Sequence, residues 1–349
     1  MITEAQRVIP IQYLRGIAAA AVALAHITSN QSPLLGEQRV VLPDIIGFWG
    51  VDIFFVISGF IIAYITSNLP SGFSSAREFL CKRIIRIVPA YWFFTLVFFF
   101  FDKWNLLGSP EASKINVMML IKSLLFIKPG FPLLFVGWTL TLEIFFYFVF
   151  AICMIFLKNP QRIIIICAFF VFLTSLPMII NYENRYFKFY TQAILLEFAS
   201  GMLIAGIYKR QYFFSRHIFS WVFFFIGCLL LITSNYYFEI GTLNYYRALL
   251  WGVPAIFIVQ GALGLAHLQL GRAVSALGSI SYSLYLCHMI CIYVSAKVAM
   301  KWMLPGIDVG WVYIFLAVTS SLIVAAISYW LFEKYLDRKL KSIFCILNS

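Results

Sequence analysis

Long apolar runs, separated by short polar clusters, follow one another along almost the whole chain. Their length matches the roughly 20 residues that carry an α-helix across a hydrocarbon layer. Ten such spans are predicted, at about 11–29, 45–67, 84–101, 132–157, 162–181, 191–208, 219–234, 247–266, 277–299 and 309–332. Ile115 to Ile127 is apolar but too short to cross, and reads as a re-entrant or interfacial piece. Asp102 to Lys114 is the longest polar-leaning stretch and reads as a loop. No internal repeat, low-complexity linker or hydrophilic block long enough for a second domain interrupts the series. The expected fold class is an all-α integral membrane protein, about ten transmembrane helices in one bundle. Residues 1–349 are expected to form one polytopic domain with no added soluble domain.

Composition excludes the soluble alternatives. The chain is 62% hydrophobic and 11% charged, with a mean hydropathy of +0.92, which no soluble domain of 349 residues matches. Lys and Arg then set the orientation. With the N-terminus inside, fifteen fall on the cytoplasmic side, in clusters, against ten scattered outside. Both termini are therefore expected in the cytoplasm of a bacterium, with the protein in the inner membrane. The net charge of +12 reads as anchoring to membrane lipids rather than nucleic-acid binding. The seven cysteines show no paired spacing, so neither a disulfide framework nor a zinc site is expected. Arg7 and the run Ala18 to Ala25 mimic a signal peptide, but Arg15 interrupts the apolar core, and the segment reads as a retained span.

Chemistry must then sit among the helices. Arg15 and His26 lie eleven residues apart in the first span, almost three turns, so they share one face about 16 Å apart. A cation there costs a few kcal/mol or more unless it meets a polar interior or a ligand. With both termini inside, the spans assign depths. Arg15, Arg83 and Arg86 form a cationic inner layer; His26, Asp52 and Glu143 form an outer one, with Glu197 at a similar level. Ser281 and Tyr282 fall in the inner part of the ninth span and His288 near its middle. Guanidinium forks suit phosphate oxygens. An imidazole held by a carboxylate suits general-base work on a hydroxyl. Each residue also has a plainer reading: Arg83 and Arg86 as headgroup anchors, Asp52 and Glu143 as interhelical ties, His288 as a bundle histidine among Tyr282, Tyr285 and Tyr293.

The residues resemble a known family. Leu14-Arg15-Gly16-Ile17-Ala18 followed by His26 is similar to the Arg-x10-His motif of the membrane-bound acyltransferase-3 family. Gly50-Val51-Asp52-Ile53-Phe54-Phe55-Val56-Ile57-Ser58-Gly59-Phe60 resembles its second-helix signature. Further matches are Arg83-Ile84-Ile85-Arg86-Ile87-Val88-Pro89, Trp138 to Glu143, Ile280 to His288, and Ser328 to Glu333, in the family's order. The opening Ile11-Gln12-Tyr13-Leu14-Arg15-Gly16 looks most like exopolysaccharide and O-antigen O-acetyltransferases. That resemblance implies transfer of an acetyl group from acetyl-CoA to a sugar hydroxyl of a surface polysaccharide or lipid-linked oligosaccharide. No cofactor would be tightly bound; acetyl-CoA is a co-substrate. His26 would be the catalytic base, with Asp52 and Glu143 in support. Arg15, Arg83 and Arg86, with Ser281, Tyr282 and His288, would hold the donor. Three rivals stay open: a glycan or organic-anion transporter or flippase, a different donor such as succinyl-CoA, and a His/Asp/Glu metal site.

Overall fold

A computed structural model describes residues 9–30, 35, 47–104, 115–127, 129–180, 182–209, 217–237, 246–265, 268–301 and 308–344. Among them every regular element is a helix: α1 Ile9–Ser29, α2 Gly50–Thr66, α3 Phe73–Lys103, α4 Val117–Leu124, α5 Gly137–Phe156, α6 Gln161–Ile179, α7 Arg185–Tyr190, α8 Leu195–Lys209, α9 His217–Tyr237, α10 Val253–Gly264, α11 Gly271–Lys301, α12 Val309–Ser328 and α13 Asp337–Phe344. Two π-helical stretches adjoin them, Ala248–Gly252 before α10 and Tyr329–Leu336 after α12.

Seven helical stretches are long and apolar enough to cross a membrane: Ile9–Ser29, Phe73–Lys103, Gly137–Phe156, Gln161–Ile179, Arg185–Lys209, Gly271–Lys301 and Val309–Ile343. Three shorter apolar ones, Gly50–Thr66, Ile218–Ser234 and Ala248–Gly264, stand where the second, seventh and eighth spans were expected. The protein is a multi-pass, all-helical membrane protein. The short apolar piece at Ile115 to Ile127 holds the eight-residue α4, capped where the Asn116 side chain accepts from the Met119 amide. Of the expected loop, Asp102 and Lys103 instead end α3, and residues 105–114 lie outside the described residues.

Backbone packing groups the chain into two compact units. The first comprises Met1–Ala18, Trp49–Leu80 and Leu142–Ser279, and glycines set its helix crossings. A Cβ on Gly59 would collide with the carbonyl of Phe198, and one on Gly201 with that of Val56, so α2 and α8 meet backbone to backbone. Gly16 and Gly278 do the same for α1 and α11, where the Gln12 amide donates to Ser275 O at 2.9 Å and Ser279 Oγ at 2.8 Å. Arg162, fully buried, donates to the carbonyl of Thr66 at 3.3 Å, at the negative end of the α2 dipole.

The second unit comprises Ala19–Phe48, Cys81–Thr141 and Ile280–Ser349. Here the polar contacts tie helices that are distant in sequence. The Tyr313 hydroxyl donates to Ile27 O at 3.0 Å, at the end of α1, where helix carbonyls lack intrahelical partners. Ser283 donates to Glu333 Oε1 at 2.7 Å and lies 2.9 Å from Ser328 Oγ.

Candidate active site

His26 sits in the last turn of α1, almost fully buried, with the edges of Phe48 and Phe135 against its ring at 5.0 and 5.9 Å between centroids. Its Nδ1 lies 3.0 Å from the carbonyl of Val22, one turn back on the same helix. A carbonyl oxygen only accepts, so that contact puts a proton on Nδ1. In a ring carrying one proton, Nε2 then keeps its lone pair. A buried imidazole with a bare Nε2 can take a proton from a hydroxyl.

The second group on His26 is another imidazole. His288, fully buried on α11, places Nε2 3.3 Å from His26 Nδ1. Its own Nδ1 lies 3.1 Å from the carbonyl of Leu284, again four residues back. The expected carboxylate partner is thus replaced among the described residues: the ring's hydrogen-bond partners are Val22 O and His288. The pairing joins residues 262 apart and has no local pattern in the sequence. The signal that could have found it is that two histidines stand alone inside apolar spans and each must be satisfied.

Around His288 the Trp138-Thr139 motif has a structural task. The Tyr285 hydroxyl donates to Val136 O at 3.1 Å and lies 2.9 Å from Thr139 Oγ1, which holds the Tyr285 ring 6.0 Å from that of His288. Ser281 is fully buried, and the Tyr282 hydroxyl donates to Ile87 O at 2.7 Å. That carbonyl follows Arg86 on α3, and the hydroxyl ties α11 to α3 there. Arg83 and Arg86 are half-buried and three residues apart, so they share a face of α3.

The remaining candidates lie in the first unit. Arg15 is half-buried on α1, beside the close crossing at Gly16. Glu143 on α5 accepts from Ser58 Oγ at 3.0 Å and from the Tyr147 hydroxyl. Asp52 is fully buried and engages Arg247 through two hydrogen bonds, Nε to Oδ1 at 3.0 Å and Nη2 to Oδ2 at 2.8 Å. The Arg247 guanidinium also lies over the Trp251 ring, 4.9 Å from its centroid. Asp52 was expected to support an imidazole; the group it binds is this guanidinium. Arg247 is one of the ten cations assigned to the outer side from sequence, with no partner foreseen for it. The missed signal is that a carboxylate inside an apolar run requires a partner, and Arg247 heads another such run. Glu197, fully buried beside Asp52 and Arg247, was placed at this level by sequence.

Comparison with known proteins places these motifs. A family model described as an acyltransferase domain matches residues 9–330. The exopolysaccharide production protein ExoZ of Rhizobium meliloti (strain 1021) is 31% identical over 308 residues, 84% of this chain and 90% of that protein. YrhL of Bacillus subtilis (strain 168), named for peptidoglycan O-acetyltransfer, is 25% identical over 371 residues, 95% of this chain but 55% of its own length. No solved structure matches. With a model of the family covering residues 9–330, the protein belongs to the acyltransferase-3 family and is an acyltransferase.

Proposed function

We propose that the protein transfers an acetyl group from cytoplasmic acetyl-CoA to a sugar hydroxyl of a cell-surface polysaccharide, at the bacterial inner membrane. The observation that carries the mechanism is the Nδ1 contact of His26 with Val22 O, which leaves Nε2 as the basic atom. In this reading Nε2 takes the proton of the acceptor hydroxyl as its oxygen attacks the thioester carbonyl. The C–S bond breaks, and the departing thiolate takes that proton from Nε2. An O-acetyl ester and free CoA result, and His26 returns to its starting state.

The kinship with ExoZ and YrhL, one named for exopolysaccharide and the other for peptidoglycan, supports a glycan acceptor. The guanidinium groups of Arg83 and Arg86, a turn apart on α3, suit the CoA phosphates. Within its own unit, Glu143 is held by two hydroxyl donors, Ser58 and Tyr147. No serine or cysteine is paired with a base among the contacts of His26, which favours direct attack over an acyl-enzyme.

The test is mass analysis of the surface polysaccharide from cells carrying wild type, a deletion or His26→Ala. The reading expects one acetyl mass to disappear in both mutants while polymer amount holds. Polymer that is lost, or trapped inside, would instead indicate a transporter. Acetylation that survives His26→Ala but not the deletion would remove His26 from the mechanism.

A further inference from the structure

We propose that His288 is the positioning residue of His26: a second imidazole, held by its own helix, whose Nε2 lone pair accepts from His26 Nδ1–H and supports the charge His26 carries during transfer. The inference rests on the reading of His26 as general base, and on the geometry of the pair.

Each ring is fixed by the same device. His26 and His288 both point Nδ1 at the carbonyl four residues earlier, Val22 O at 3.0 Å and Leu284 O at 3.1 Å. Both carbonyls accept, so each Nδ1 carries a proton and each singly protonated ring has a bare Nε2. Between the rings, 3.3 Å apart, a donor on His26 then faces an acceptor on His288. The Nδ1–H is shared between Val22 O and His288 Nε2. The opposite tautomer of His26 would turn a lone pair toward both a carbonyl oxygen and a second lone pair. Two acceptors therefore enforce one tautomer, and it is the one that leaves Nε2 to the substrate.

The pair gains strength at the moment of reaction. When Nε2 takes the hydroxyl proton, the His26 ring holds two protons and a positive charge, and its Nδ1–H bond to His288 becomes charge-assisted. His288 gains and loses no proton, and touches no reacting atom. In many hydrolases a carboxylate performs this task. An imidazole performs it here without placing another ion in the membrane interior, where isolated charge is costly. Complete burial of His288, with Tyr285 tethered beside it, keeps the accepting nitrogen in register.

The experiment uses the full-length protein, purified into nanodiscs, as wild type, His288→Phe and His288→Gln. Phenylalanine keeps a planar ring and removes the acceptor; glutamine restores an acceptor oxygen. Turnover with acetyl-CoA and the oligosaccharide from base-deacetylated surface polysaccharide should fall about 10- to 100-fold in His288→Phe. Both KM values should stay within about twofold, and His288→Gln should recover much of the loss. Nitrogen-15 spectra of histidine-labelled protein give a readout independent of activity. The chain has four histidines, so subtracting the His26→Ala spectrum assigns His26. Wild type should show His26 protonated on Nδ1 with Nε2 bare, and His288→Phe should shift the Nδ1 signal. A wild-type proton on Nε2 would overturn the proposal whatever the activity. So would unchanged turnover in His288→Phe, or equal losses in both variants accompanied by a lower melting temperature. Retention of the expected spectrum with full activity in His26→Ala would mark the failure of the general-base reading instead.

Discussion

In the first unit a carboxylate and a guanidinium, Asp52 and Arg247, meet through two hydrogen bonds; in the second, two imidazoles meet through one. Both clusters are buried in apolar helices, yet they dispose of polarity differently. The ion pair uses both carboxylate oxygens of Asp52 and cancels its charge internally. The imidazole pair leaves one nitrogen of His26 uncommitted to the protein among the described residues. A matched ion pair, a closed cluster, ties helices together, whereas a bare imidazole nitrogen, in an open one, is free to take a proton. Substitutions should therefore separate stability from turnover along this divide.

The largest effect belongs to the open cluster. His26→Gln should lower turnover by about 10²–10⁴ while the melting temperature changes little; a lower melting temperature with turnover retained would erase the distinction. Next comes the closed cluster. Arg247→Met strands a fully buried carboxylate and should cost about 3–5 kcal/mol of stability, read by thermal melting in detergent. The double variant Asp52→Leu with Arg247→Met should recover most of that loss, because the carboxylate that the single variant strands is removed as well. If the single variant melts like wild type, the ion pair is no tie. Gly201→Ala forces a methyl against the Val56 carbonyl and should cost about 1–3 kcal/mol, again with the intrinsic turnover of the folded fraction preserved. The smallest change is Tyr313→Phe. It removes one hydrogen bond at Ile27, worth about 0.5–1.5 kcal/mol, and by loosening the end of α1 should lower turnover a few-fold.

The seven long spans were legible because membrane helices announce themselves by apolar length, without needing tertiary context, whereas the second, seventh and eighth expected spans correspond to shorter apolar helices. Their ends were less so. The third span was expected from residue 84, yet α3 starts at Phe73, since a helix continues past the apolar region where Ser74 to Arg77 tolerate it. The second was expected from residue 45, yet α2 begins at Gly50. Gly47 lies against the backbone carbonyl of Ala21, and a turn must follow before α2 can start. Site residues divide in the same way. His26, Asp52 and Glu143 stood out as polar atoms in apolar runs, a local property. Their partners, His288, Arg247 and Ser58, are 262, 195 and 85 residues away, and pairing at that distance is a property of packing.

The π-helical turn before α10 has a consequence for comparing this chain with its relatives. The Val253 amide reaches back five residues to Ala248 O, and Pro254 supplies no amide to restore the tighter ladder. Such a turn holds one residue more than an α-turn would. Deleting one residue from Ala248–Gly252 while α10 keeps its place would swing Arg247 through about 100° and take its guanidinium off Asp52. The alignment register at this point is therefore structural information: a relative one residue shorter here must draw the partner of its second-helix aspartate from a neighbouring position, and a gap placed by sequence score alone would match the wrong arginine.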